Sequence, residues 1–226
     1  MPKKTKAIKK TDINKPWNRQ KKPSVYKIGT DKPNKTILIV CEGQTEELYF
    51  KSFPVISLDV EAIGLGQSKL KLVESANAIQ EKESYDEVWC VFDMDIKKDE
   101  FNCEVDFNNA IKKAKKIGYN VAYSNDAFEL WFYLHFQYTD QKNHRKFYYK
   151  QLSKIWDINY EKHGKTWEFS FNIYSLLEND KRANQTKAIE RADKLFDNQK
   201  ELEYHKQNPV TFVYELVKIL NDNLID

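Results

Sequence analysis

Short, wholly apolar runs alternate with stretches of helical period through the middle of the chain. Thr36-Ile-Leu-Ile-Val-Cys41 is aliphatic and β-branched and too short for a helix, which predicts a strand covered on both faces. Glu42-Gly43-Gln44 turns the chain, and Thr45 is the expected N-cap of a helix through Phe53. A second strand is predicted over 58–65, ended by Gly64 and Gly66, and then a helix over 68–82 with Leu70, Leu72, Val73, Ala76 and Ile79 on one face. Glu87-Val-Trp-Cys-Val-Phe92 is the third strand, running into Asp93. A helix over 106–117 follows, with Gly118 as its stop, and Asn120–Ser124 is the fourth strand. The order βαβαβαβ predicts an α/β fold with a parallel sheet of about four strands flanked by helices. Beyond Ser124 the pattern turns helical, with helices expected over 128–136, 145–156, 185–199 and 210–223. In the last, Val213, Leu216, Val217 and Leu220 form a stripe that either packs on the core or docks on a partner.

Charge divides the chain. Of 37 Lys and Arg and 34 Asp and Glu, 12 basic and two acidic residues fall before Thr36, leaving 25 against 32, a balance of -7, in the rest. Residues 1–34 also hold four of the six prolines and lack periodicity, so they read as a basic flexible arm, either an electrostatic handle for nucleic acid or a solubilising tail. Three cysteines without a C-x-x-C pair argue against a disulfide framework and a zinc site. With no apolar run long enough for a membrane span and no apolar segment after the N-terminal lysines, the expected location is the cytoplasm, away from membranes.

The acids carry the chemistry. Glu42 follows the first strand, and Asp93 and Asp95 follow the third. Ligands of open parallel sheets bind beyond strand carboxyl ends, at the switch point of the strand order. Carboxylates gathered there repel one another unless a cation intervenes, and hard oxygen donors with few histidines point to Mg²⁺ or Mn²⁺. The alternative for each acid is a helix cap or a solvated loop. Gly64-Leu-Gly66-Gln-Ser68-Lys69 lacks the spacing of a phosphate loop and reads as a strand-to-helix turn. Lys142, His144, Arg145, Lys146 and Lys150 surround Phe147, Tyr148 and Tyr149. They form either a nucleic-acid-binding segment or a helix with buried aromatics and solvated lysines.

Strand–Glu42-Gly43 followed by strand–Asp93-x-Asp95 resembles the Toprim domain of topoisomerases, primases and OLD-type nucleases. Val40-Cys-Glu-Gly-Gln-Thr-Glu-Glu-Leu-Tyr-Phe50, Phe92-Asp-Met-Asp95, Ser124-Asn-Asp-Ala-Phe-Glu-Leu-Trp131, His135-Phe136 and Asn208-Pro209-x-Thr211 together are similar to the RloB-like (AbiLii-like) family. The resemblance implies a Toprim-like catalytic domain over 35–136 with a helical region over 137–226 packed on or capping it. It implies a Mg²⁺- or Mn²⁺-dependent nuclease cutting DNA or RNA, tRNA among the candidates, as effector of an anti-phage abortive-infection system beside an AAA/ABC-type ATPase. Glu42, Asp93 and Asp95 would be catalytic. Glu46, an acid one helical turn after Glu42, and Glu129 would join them as metal ligands, with Ser124 supporting a second cluster. Lys187 and Arg191 are candidates for a cation steadying the transition state, or belong to an exposed helix face. Where the family pattern has proline after Ser-Asn, this chain has Asp126, which removes a rigid link between Ser124 and Glu129. The competing class is a Toprim-like module that binds nucleic acid or a partner without turnover.

Overall fold

The computed structural model describes residues 35–55, 58–62, 68–95 and 102–224, all within one compact unit spanning Asn34–Asp226. The basic arm over 1–34 and residues 64–67 of the glycine-rich turn lie outside the described residues.

Five strands form one sheet in the order β2-β1-β3-β4-β5. They are β1 (Ile37–Cys41), β2 (Leu58–Ala62), β3 (Glu87–Asp93), β4 (Asn120–Asn125) and β5 (Val210–Thr211). The first four are parallel, with Cys41 level with Val91 and Asp93 level with Ser124. The fifth corrects the expected count: Val210 and Thr211, expected to open the last helix, pair antiparallel with Asn125 and Ser124 instead. Two β-branched residues after Pro209 are too few to carry a period of their own.

Alternation along the strands gives each sheet face its own core. On one face Leu38, Val40, Cys90, Phe92 and Tyr123 pack against α2 (Lys69–Gln80) and α3 (Cys103–Lys116). On the other, Ile37, Ile39, Cys41, Val91 and Ala122 meet a larger helical layer. That layer comprises α1 (Gln44–Lys51), α4 (Glu129–Leu134), α5 (Arg145–Trp156), α6 (Tyr160–His163), α7 (Trp167–Asn179), α8 (Gln185–Asp197) and α9 (Val213–Asn221). Val213, Leu216, Val217 and Leu220 are all buried in it, so the α9 stripe is core and not a docking surface. Trp131 donates from Nε1 to the Tyr49 hydroxyl at 2.8 Å, satisfying both polar tips inside the layer. Cys41, Cys90 and Cys103 are free thiols. Among the described residues, no helix is long and apolar enough to cross a membrane.

Candidate active site

Strand order fixes where a site can form. Strands β2 and β3 flank β1 on opposite sides, so the chain switches direction across the sheet beside β1, and a crevice opens beyond the ends of β1 and β3. Glu42 leaves β1 with its N–H donating to the Val91 carbonyl at 2.9 Å, which keeps it locked to β3. Gly43 then occupies the N-cap position of α1 in extended conformation, without a side-chain cap. The helix thus begins at Gln44, one residue before the expected Thr45 cap. A Cβ on Gly43 would lie 2.6 Å from Glu46 Oε2, so the glycine leaves room for the Glu46 carboxylate to fold back toward the sheet.

On β3, Asp93 ends the strand and accepts a hydrogen bond from Phe128 N at 3.2 Å. Asp95 sits at φ 46°, in the left-handed region that Asp tolerates, so the Asp-x-Asp pair straddles a turn and is not an extended segment. Glu129, the first residue of α4, completes the carboxylates around a cleft of about 180 Å³.

Three cations answer them. Arg145 Nη2 lies 2.7 Å from Asp95 Oδ1 and 3.8 Å from Asp93 Oδ2. Asp126, fully buried, anchors that arginine: its Oδ2 accepts from Arg145 N at 2.9 Å and stands 3.9 Å from Nε. Lys165 Nζ is 3.5 Å from Glu129 Oε1. Lys69 Nζ is 3.3 Å from Glu42 Oε1, and Asp106 holds the start of α2 by accepting from Lys69 N at 2.8 Å.

Burial and crowding resist full ionisation. Burial, and then the charges of Glu42 and Glu46, raise the Asp93 carboxyl well above its ordinary range. Glu46 is pushed up to about 7 by burial, with Glu129 and Glu42 adding to it. Burial also raises Glu42, against the pull of Lys69. Burial disfavours charge on Arg145 and Lys165, yet the neighbouring acids outweigh it and hold both cationic. Among the described residues, five carboxylates against three cations would leave at least two negative charges if all ionised, the charge of one divalent ion.

The donor set suits such an ion: every ligand is a hard oxygen, and Glu42 Oε2 is buried without a hydrogen-bond partner among the described residues. No group of three His, Cys, Asp or Glu side chains among the described residues converges as a ready cage. Arg145, Lys69 and Lys165 supply the neutralising charge instead.

Glu42, Glu46, Asp93, Asp95 and Glu129 are therefore brought together. Other candidates lie elsewhere. Ser124 Oγ pairs with Thr211 Oγ1 at 2.8 Å in the β4–β5 ladder, turned from the cleft. Arg191 Nη1 donates to Leu134 O at 2.6 Å, capping the end of α4, and Lys187 is exposed on α8. In the basic segment, Lys142, His144 and Lys146 are exposed, and His144 caps α5 through Nδ1. Tyr148 and Tyr149 are buried, as in the solvated-lysine alternative, and cannot stack on bases. Arg145 alone of that segment enters the cleft. Nothing local in the sequence distinguishes Lys69 and Lys165 from the chain's other lysines as site cations.

The family model described as RloB-like protein matches residues 37–220. No curated protein and no solved structure matches the chain.

Proposed function

The chain belongs to the RloB-like family across residues 37–220, and from that premise we propose that its carboxylate cleft is a Toprim-type centre for metal-dependent phosphodiester cleavage of DNA or RNA. As the resemblance implies, it would serve an anti-phage abortive-infection system. The observation that carries this reading is the gathering of Glu42, Asp93 and Asp95 at the switch point, with charge left over for a divalent ion. Glu42, Asp93 and Asp95 would hold Mg²⁺ or Mn²⁺, with Glu46 and Glu129 available for a second. When bound, the metal supplies an activated water and stabilises the leaving oxygen. Lys165, 46% exposed at its side chain, would meet an entering phosphate. Arg145, now paired with Asp95 and Asp93, would be a second cation for the same phosphate. The ATPase partner implied by the resemblance would need a surface other than the buried α9 stripe.

The Arg145 bridge favours a second reading, a module that binds nucleic acid without turnover. Pure protein given Mg²⁺ or Mn²⁺ with plasmid DNA and with tRNA separates the two. Cleavage is expected, with Glu42→Gln and Asp93→Asn each losing about 100-fold or more while melting no lower than wild type. Binding without cleavage of either substrate supports the second reading; equal cleavage by both variants refutes the metal site.

A further inference from the structure

Helix α7 carries an aromatic pair that the core does not use. Trp167 and Phe171 stand one turn apart with ring centroids 5.2 Å apart and planes within 5° of parallel. They are 57% and 41% exposed, whereas Ser170, Ile173 and Leu177 form the buried face of the same helix. Tyr174 packs on Tyr49 and Phe53 of α1 and the turn after it, at 6.4 and 4.4 Å. Just ahead of α7, Lys165 reaches Glu129 inside the cleft. Helix α7 therefore runs beside α1 with its first turn at the cleft end, where α1 presents Glu46. Lys162 and Lys165 are exposed immediately before the aromatic pair, with the exposed acids Glu161 and Glu168 on either side of them.

We infer that Trp167 and Phe171 form a stacking platform for unpaired nucleobases of a single-stranded nucleic acid whose backbone enters the cleft past Lys165. This rests on the reading that the cleft takes a phosphodiester. An exposed flat ring accepts any base face, and cations beside it meet the phosphates between bases. A duplex keeps its base faces covered, so the platform selects unpaired over paired strands. The continuity with the cleft through Lys165, which reaches Glu129 there, favours nucleic acid over a protein ligand, which would draw on apolar area alone here.

The test measures binding of labelled single-stranded RNA, single-stranded DNA and duplex DNA to the full chain in EDTA, where turnover is blocked. Trp167→Ala/Phe171→Ala is expected to weaken single-strand binding by about tenfold, leave duplex binding and the melting temperature unchanged, and be largely rescued by Trp167→Phe with Phe171 retained. A loss confined to the RNA or the DNA arm identifies the sugar. Unchanged single-strand affinity, equal loss on duplex, or no single-strand binding by wild type overturns the platform. Cleavage of the same oligonucleotides with Mn²⁺ is scored separately. Platform-dependent binding without any cleavage overturns the nuclease reading alone; cleavage and binding indifferent to both substitutions overturn the platform alone.

Discussion

Arg145 Nη2 stands 2.7 Å from Asp95 Oδ1, closer than to any other carboxylate of the cleft, and the same nitrogen reaches Asp93 at 3.8 Å. One guanidinium therefore holds the two acids that a metal would need. Arg145→Met, which keeps the apolar stem, is expected to lower metal-free stability by about 2–3 kcal/mol, because the acids lose their partner. Mn²⁺ should then raise the melting temperature of the variant by more than it raises that of wild type. Equal Mn²⁺-induced shifts would show that arginine and metal do not compete.

Gly43 gives a cleaner probe of Glu46 than Glu46 itself. At Gly43 the backbone is extended (φ -131°), so alanine fits the conformation, but its Cβ would press on Glu46 Oε2 at 2.6 Å. The far end of a flexible side chain can move aside, so Gly43→Ala should change stability by less than about 1 kcal/mol. Metal-dependent cleavage should fall about tenfold or more as the carboxylate leaves its place. Unaltered cleavage in the alanine variant would remove Glu46 from the machinery.

His135 sets an acid limit on the fold. It is buried, with Nδ1 3.0 Å from Trp131 O, and burial lowers its pKa from 6.5 to about 4. The unfolded chain takes up the proton first as pH falls, so the contribution of His135 is full above about 6.5 and drains away toward pH 4, opposite in sign to that of the raised carboxyls Glu42, Glu46 and Asp93. The slope is at most about 1.4 kcal/mol per pH unit and the whole loss roughly 3 kcal/mol. Chemical denaturation from pH 7 to 4 checks this, and His135→Gln should flatten the profile by that amount. An identical profile in the variant would assign the acid lability elsewhere.

Arg191, a candidate site cation by sequence, should act on stability alone, whereas Lys165, which reaches the cleft, should act on cleavage as well. Arg191→Ala removes a 2.6 Å bond to Leu134 O, so it should cost about 1.5–3 kcal/mol of stability while cleavage per folded molecule stays unchanged. Lys165→Ala leaves the buried Glu129 without its cation, so it should cost about 1–2 kcal/mol and also cleave poorly per folded molecule. Thermal melts paired with initial rates test both, and a slow, fully stable Arg191→Ala protein would restore it as a site cation.

Much of this could be read from the sequence because the governing patterns are local. Ile37–Cys41 and Val88–Phe92 are unbroken apolar runs, so the parallel strands and the acids just beyond them follow from chain order alone. Helix α7 is different. Trp167, Phe169, Phe171 and Ile173 alternate with Glu168, Ser170 and Asn172, a period of two in aromatic and β-branched residues. Packing against α1 overrides that local preference. The site cations were equally hidden, because Lys69, Arg145 and Lys165 meet the acids only through folding across 27, 50 and 36 residues of chain. Asp126 shows the reverse case. Its departure from the family pattern is plain in the sequence, but its service as an anchor for Arg145 emerges only with α5 in place.

The two-residue strand β5 has a bearing on when this protein can act. Thr211 and Val210 zip onto Ser124 and Asn125, the segment leading directly to Asp126 and Glu129, and the α9 residues behind them pack against β4 and α8. On the ribosome, the cleft-forming segments up to Lys165 emerge first, yet the ladder that braces them must wait for residues near 211, and the core for those near 220. Vectorial synthesis at about 5–20 residues per second therefore separates exposure of the acids from their rigid arrangement by several seconds. A chain stalled before residue 210 would carry every carboxylate of the cleft without the β-ladder that braces the segment leading to Asp126 and Glu129.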